Sequence, residues 1–354
     1  MDRKRLFQQL KEQGTVAQAD LAGADLAGLA FRKPLFQECN LAGADLSSAR
    51  LPQALFFRCD LRGAVLEQAR LDKVVFQECR LEGARLAGAR LPQATMGKSR
   101  LQRVDLSRAR LNRGNLVHCD FSRALFRGAH LDYTVFLGGK VAGADFQEAG
   151  LTRVVFRKLD LTTCNFAGAS FLKTVLMEAR LAGMDLAGFA FPMCQMRGAD
   201  LAGAKLAGAD FSQAGMTKVN LAGADLRGIK AELAQFTESN LAGVVLADSL
   251  LDKTNFQRAD LSGADFSRCH MELAQLGGAR CARARFRQAQ MPFADFSHAD
   301  LREADFSGAV LTRAKFHRAQ VEGTIFDGVD DAGATGDDQE LAQAEDWRPL
   351  PLDD

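Results

Sequence analysis

The stretch LAGADLAGLAFRKPLFQECNLAGADLSSARLPQALFFRCD, residues 21–60, decides the fold. Taken at every fifth position it reads Leu21, Leu26, Phe31, Phe36, Leu41, Leu46, Leu51 and Phe56. The register runs on to Phe326 without an insertion or deletion, and its 62 centres are 32 Leu, 21 Phe, five Met, two Val, Ala231 and Cys281. Two residues before each centre the side chain is usually small, as at Ala24, Ala44, Ala49 and Ala54, and the residue between them is often polar, as at Asp25, Asn40, Asp45 and Asp60. A period of five fits neither the 3.6 of a helix nor the 2 of a strand. It fits a chain that turns a corner every five residues and sends one large and one small apolar side chain inward each time.

A second period of twenty lies over the first. LAGADL recurs at 21, 41 and 221, whereas LDKVVF at 71, LTRVVF at 151 and LDKTNF at 251 mark a different part of the coil. Each coil therefore has four unequal faces, and each face is a column of residues twenty apart. Two residues after the centre, the first and second columns are rich in glycine, as at Gly23, Gly43, Gly28 and Gly88. Glycine at the third residue of a turn permits the positive φ of type II. The third column has no glycine and no acid among its fifteen residues, which include Lys33, Gln53, Lys73, Arg113, Tyr133, Arg153, Met193, Leu233, Lys253, Leu273, Phe293 and Arg313. Pro52, Pro92, Pro192 and Pro292 precede some of them, and with bulky residues following, a type I or distorted turn is expected there.

This pattern resembles the pentapeptide-repeat family, A(D/N)LXX, over 306 of the 354 residues. The resemblance implies an all-β solenoid, a right-handed quadrilateral β-helix with four pentapeptides per coil and about 15 coils. Its core would be stacked Leu and Phe, each buried centre contributing about 2 kcal/mol. Three segments follow: residues 1–20, 21–326 as the solenoid, and 327–354. In the first, Leu6, Phe7 and Leu10 at helical spacing predict a short helix that caps the open coil. The last is an acidic tail, expected to be largely disordered apart from one short helix near Glu340–Trp347.

The formal charge of +1 conceals an asymmetry: residues 327–354 carry ten acids and one base, and the rest of the chain carries 44 bases and 34 acids. No apolar run is long enough to span a membrane, and the opening MDRKRLFQQLKEQ lacks the apolar core of a secretory signal. Seven of the eight cysteines (Cys39, Cys59, Cys79, Cys119, Cys164, Cys194, Cys269) occupy small inward positions, and Cys281 replaces a centre. Parallel neighbours in such a ladder suit disulfide geometry poorly, so these are expected to be buried free thiols in a reducing cytoplasm.

Catalytic and ligand signals are weak. His118, His130, His270, His298 and His317 are scattered over different coils with no ligand-like spacing, the glycines are turn residues, and the Asp ladder of Asp25, Asp45, Asp105 and Asp145 belongs to the repeat. No enzyme, cofactor or metal is expected. Thirteen bases lie along the third and fourth columns, the fourth supplying Arg58, Lys98, Lys158, Lys218, Arg258 and Arg318. Their density is modest and aromatic interleaving is nearly absent, so nucleic acid is disfavoured. The candidate surface is a ridge of Tyr133, Met193, Leu233, Lys253, Leu273 and Phe293, flanked by Lys218, Arg258, Arg313 and Arg318. An acidic protein partner, or the chain's own tail with Trp347, Leu350 and Leu352, would dock there.

Relatives implied by the resemblance protect DNA gyrase by imitating duplex DNA, act as secreted effectors, or accompany type VI secretion loci. Imitation of DNA requires a negative solenoid, and this one carries +10 without its tail. A protein-binding scaffold or adaptor accessory to secretion or effector loading is expected, with a nucleic-acid or topoisomerase regulator as the rival.

Overall fold

A computed structural model describes residues 3–346. The chain divides into two compact units, Met1–Leu181 and Ala182–Asp354. Both are built from one interaction: a backbone group in one coil bonds to its counterpart about twenty residues on. In the first unit Leu21 N–H reaches Asn40 O at 2.7 Å and Leu26 N–H reaches Asp45 O at 2.7 Å; in the second, Leu261 N–H reaches Arg280 O at 2.7 Å. All pairings are parallel and offset by twenty, from Asp20↔Asn40 to Asp160↔Arg180 in the first unit and from Asp185↔Lys205 to Lys315↔Thr335 in the second. Parallel pairing of short strands in a winding chain makes this an all-β solenoid.

The first unit opens with helix α1, Arg3–Gln13. Leu6 and Leu10 are buried on its inner side and Phe7, half exposed, meets Phe31 edge-on at 4.9 Å. Eight three-residue strands follow: β1 Thr15–Ala17, β2 Leu35–Gln37, β3 Leu55–Phe57, β4 Val75–Gln77, β5 Thr95–Gly97, β6 Asn115–Val117, β7 Val135–Leu137 and β8 Val155–Arg157. They pair in sequence order into one parallel sheet, giving about seven turns. The ladder thus begins with β1, a few residues ahead of Leu21. At the far end of the second unit it continues past Phe326, with Val310 paired to Asp330 and Lys315 to Thr335. Helix α2, Gln339–Asp346, follows. The expectation of a largely disordered segment from residue 327 therefore does not hold for its described part, because the five-residue register persists there in weaker form (Asp331, Gly333) and its backbone groups find partners in the preceding coil. No helix among the described residues is long and apolar enough to cross a membrane.

The centres are the core. All are buried except Phe31, Phe316, Val321 and Phe326, which lie toward the ends of the two ladders. Phenylalanines twenty apart stack: Phe36–Phe56 at 4.9 Å and 4°, Phe56–Phe76 at 5.0 Å and 13°, and in the second unit Phe286–Phe306 at 4.7 Å and 14°. Neighbours within a coil meet edge to face, as in Phe296–Phe306 at 83°. Offset stacking and edge contact are the two arrangements that the aromatic quadrupole favours.

The type I half of one turn expectation is corrected. The third column was expected to use type I or distorted turns, yet Lys33, Tyr133, Leu233 and Phe293 have φ of 57°, 61°, 62° and 60°, the same left-handed conformation as Gly23 at 63°. A positive φ at the third turn residue excludes type I. The cause is the ladder: Lys33 N–H must reach Pro52 O at 2.9 Å, and Leu273 N–H must reach Pro292 O at 2.9 Å. A non-glycine residue in this region costs about 1–2 kcal/mol. The inter-coil bond contributes about 1 kcal/mol and the buried centre about 2 kcal/mol, so the ladder wins and side-chain bulk does not decide the turn.

Beside several strands of the first unit a polar side chain takes the place of a turn bond. In most repeats the residue three after the centre closes the turn, as when Ala44 N–H bonds Leu41 O at 3.0 Å. Beside β2–β5, a side chain from the next coil sits in that gap instead. Cys79 N–H donates to Ser99 Oγ at 3.1 Å, while Ser99 Oγ reaches Phe76 O at 3.2 Å. Cys59, Cys79 and Cys119 send Sγ to Phe36 O, Phe56 O and Met96 O at 3.3, 3.2 and 3.3 Å. In the second unit the same column holds Ala199, Ala259 and Ala279, beside which the direct turn bond is made, as in Ala199 N–H to Met196 O at 2.8 Å, while Ser239 bridges Val219 N–H and Met216 O at 3.0 and 2.6 Å as Ser99 does in the first.

Two predictions follow from this packing. Ser99→Ala leaves an amide and a carbonyl without their bridge and should cost about 1–3 kcal/mol, whereas Ser99→Cys, which copies its column neighbours, should cost clearly less; chemical denaturation measures both. Ala231 is a fully buried small centre with Ile229 buried beside it. Ala231→Leu should therefore overpack and cost about 1–3 kcal/mol, and a gain in stability would reveal an unfilled gap.

Candidate functional site

The ridge lies mainly in the second unit. Leu233, Leu273 and Phe293 are 47%, 38% and 40% exposed, Lys253 between them is exposed, and Met193 is partly buried. The ladder fixes their alignment: Leu233 N–H bonds Asp252 O, Lys253 N–H bonds Glu272 O, Leu273 N–H bonds Pro292 O and Phe293 N–H bonds Thr312 O. Successive residues of the column are thus one strand spacing apart, about 4.8 Å. Arg313 covers the end of the column with its guanidinium 5.6 Å from the Phe293 ring centre. Tyr133, in the first unit, is held between Arg113 and Arg153 at 5.8 and 5.1 Å from its ring, and Arg153 also donates to its hydroxyl.

The charges flanking the ridge differ from the expectation. Lys218 and Arg258 both engage Glu238, at 3.2 and 3.3 Å, and Arg58 is shared between Glu38 and Glu78. Alternating sign down the fourth column brings Lys or Arg against Glu in the next coil, so that column is largely self-neutralised. The other edge of the ridge is acidic, since Glu232, Asp252 and Glu272 each precede a ridge residue. Gln235 and Gln275 fold back onto the carbonyls of Leu233 and Leu273 at 3.2 and 3.3 Å. The ridge is therefore an apolar column between mixed charges. Sequence reasoning counted bases and missed their partners one coil away.

The tail meets the fourth column. Arg318 receives Glu345 at 3.3 Å and Asp346 at 2.6 Å, donates Nη2–H to Ala342 O at 2.9 Å, and its N–H reaches Asp337 Oδ1 at 2.6 Å. Helix α2 makes its ion pairs with His298, His317 and Arg318, not with the ridge. Trp347, Leu350 and Leu352 lie outside the described residues. The histidine reading is also corrected: His298 and His317 were held to be scattered, but nineteen residues is nearly one coil, and the two rings meet edge-on at 5.4 Å with Glu345 between them. In a solenoid the meaningful spacing is the coil length.

The thiols lie inside the coil, and the Cys59 side chain holds that of Cys79 below the usual thiol range. All eight cysteines are buried. Burial raises the Cys119 thiol to about 11 and those of Cys164 and Cys269 to about 12, so they stay protonated near neutrality. The aspartate ladder is occupied with turns. Asp45 Oδ1 accepts Ser47 N–H at 2.8 Å, and Asp105 Oδ1 accepts Ser107 N–H at 2.9 Å. Each caps the turn two residues on, an Asx turn. The Ser47 N–H holds the Asp45 carboxyl below the usual range, and the guanidiniums of Arg62, Arg227 and Arg302 do the same for Asp60, Asp225 and Asp300.

Comparison with known proteins is consistent with this geometry. A family model described as "Pentapeptide repeat region" matches residues 29–106, and one described as "Pentapeptide repeats (8 copies)" matches 105–136, 194–230, 233–268, 269–308 and 293–328. Among solved structures, a pentapeptide repeat protein from the Arabidopsis thaliana thylakoid lumen is 35% identical over 27% of this chain and 66% of its own, with a TM-score of 0.26. QnrB1, a plasmid-mediated fluoroquinolone resistance protein, is 20% identical over 53% of this chain and 89% of its own, with a TM-score of 0.33. HetL, involved in heterocyst differentiation regulation in Nostoc sp. strain PCC 7120, is 20% identical over 94% and 96%, with a TM-score of 0.17. No curated protein matches the chain.

Depressed aspartates give a signed expectation for pH. A carboxyl whose folded value lies below its unfolded value of about 3.9 stabilises the fold above that pH, and the contribution is lost as pH falls through the folded value. Thermal stability should therefore be insensitive to these groups from neutrality down to about pH 5 and fall below about pH 4. Asp45→Asn keeps the oxygen that accepts Ser47 N–H and should reduce the acid sensitivity with little loss at neutral pH, as differential scanning calorimetry across pH would show.

Proposed function

This chain belongs to the pentapeptide-repeat family, and on that footing we propose that it is a non-catalytic scaffold that binds another protein through its solenoid surface. The observation that carries the reading is the column of Leu233, Leu273 and Phe293, three large apolar side chains about 40% exposed at fixed spacing in one unit. Isolated exposed leucines need no explanation, but an aligned column marks a contact. Lys253 adds its apolar stem to the strip while its ammonium stays in water.

The partner is a protein that brings apolar side chains to this column and charge to its edges. An acidic partner is supported by Arg313 and by the third-column bases Lys33, Lys73, Arg113, Lys173 and Lys253, which enter no ion pair among the described residues. Nucleic acid is the weaker reading, because four of the six fourth-column bases, Arg58, Lys158, Lys218 and Arg258, are spent on glutamates one coil away. The finer architecture belongs to the same proposal: a right-handed, four-sided solenoid of about fifteen coils. So does the narrower role of an adaptor accessory to bacterial type VI secretion or effector loading, supported by the long uninterrupted register and the two-part twenty-residue coil. A cytoplasmic location is supported by the content of eight buried cysteines.

The test replaces Leu233, Leu273 and Phe293 together by Ser. The variant should lose capture of its partner from native lysate while its melting temperature stays within a few degrees, since all three side chains already face solvent. Unchanged capture would remove the ridge as the working surface. Capture that survives the substitutions but collapses with rising salt and with nuclease would transfer the function to nucleic-acid binding.

A further inference from the structure

We propose that His298, His317 and Glu345 form a binding site for a divalent transition ion of the zinc class, which fastens helix α2 to the second unit. The inference stands on this cluster alone and not on the ridge. His298 Nε2 lies 3.2 Å from Glu345 Oε1, and His317 Nε2 lies 3.4 Å from Glu345 Oε2. The three ligand atoms all fall within 4.8 Å of one another. A tetrahedral ion with bonds of about 2.0–2.1 Å places its ligand atoms about 3.3 Å apart. Each imidazole nitrogen is already about that far from one Glu345 oxygen, but from a different one, so the carboxylate has to turn a single oxygen toward the ion and the two nitrogens have to close on it. Two imidazoles and one carboxylate, with a fourth position open to water, suit zinc or its neighbours, whereas magnesium and calcium require oxygen ligands.

The backbone holds the cluster in place. His298 N–H bonds His317 O at 2.7 Å, which fixes the two histidines on stacked coils. His317 is almost fully buried, with 4% exposure, and its Nδ1 accepts Asp338 N–H at 3.1 Å. Without an ion the His317 proton therefore sits on Nε2 and points at Glu345. An ion takes the place of that proton, and a proton is then carried on Nδ1. Asp337 Oδ1, 4.0 Å from Nδ1, is the carboxylate at hand to accept it once the first turn of α2 shifts. A carboxylate behind a ligating histidine is the usual support of such sites. Arg318 Nε shares Glu345 Oε2 at 3.3 Å and must release it. It keeps Asp346 and Ala342 O as partners at 2.6 and 2.9 Å, so its charge stays paired when the ion enters.

The experiment uses the full chain, stripped with chelator and dialysed, titrated with zinc by calorimetry and with cobalt by absorption. The expected result is one ion per chain, with a cobalt spectrum of tetrahedral type that lacks a sulfur-to-metal charge-transfer band. Glu345→Gln and His298→Gln should each weaken binding by about tenfold or more, with circular dichroism and melting temperature unchanged because both side chains lie on the surface. Absence of stoichiometric binding would overturn the proposal, as would an adventitious ion only, bound equally by both variants. A thiolate band would assign the metal to the cysteines and overturn it as well.

Discussion

Every feature of this protein depends on the parallel hydrogen bond that joins a residue to its counterpart one coil on. Because that bond recurs along each unit, a side chain's neighbours there are set by the number twenty. Phe36 meets Phe56 at 4.9 Å, Arg58 meets Glu78 at 2.9 Å, and Asn40 Nδ2 reaches Asp20 Oδ1 at 2.9 Å, all by the same translation. A favourable pair placed once in the repeat becomes a ladder, and so does an unfavourable one. The Leu and Phe centres stabilise the stack by about 2 kcal/mol each, and this regular gain sustains a left-handed residue at turn after turn.

The same constraint explains the chain's tolerance of variety on its surface. Outward side chains do not set the turn, so the third column can hold lysine, tyrosine, leucine or phenylalanine at nearly one φ. Chemistry can then be written on a fixed lattice. The ridge in the second unit and the clasp at His298, His317 and Arg318 are two uses of that freedom. The first exposes apolar surface. The second draws an acidic helix onto a small basic group.

Legibility followed the range of each interaction. The five-residue register, the buried centres, the inward cysteines and the short N-terminal helix could all be read directly, because each is a local pattern repeated many times. The exposure of Leu233, Leu273 and Phe293 was legible for the same reason, as a column in the twenty-residue alignment. The self-neutralised fourth column was harder: Lys218, Glu238 and Arg258 were visible as a mixed column, but their pairing depends on which rotamers meet across coils. The third-column turns were misread because residue preference was weighed without the inter-coil bond that overrides it.

By itself the sequence determined a solenoid with a Leu and Phe core, small residues and thiols inside, and a chain end of opposite charge, because a period of five admits no helix or flat sheet. Only the tertiary structure decided what the ends and gaps do. It showed Ser99 and its neighbouring thiols replacing a turn bond, the ladder continuing to Thr335, and α2 bringing Glu345 to two histidines. Those outcomes rest on single contacts made once, between groups with no repeat to announce them. Their energies depend on where a helix lands and not on how a pattern recurs.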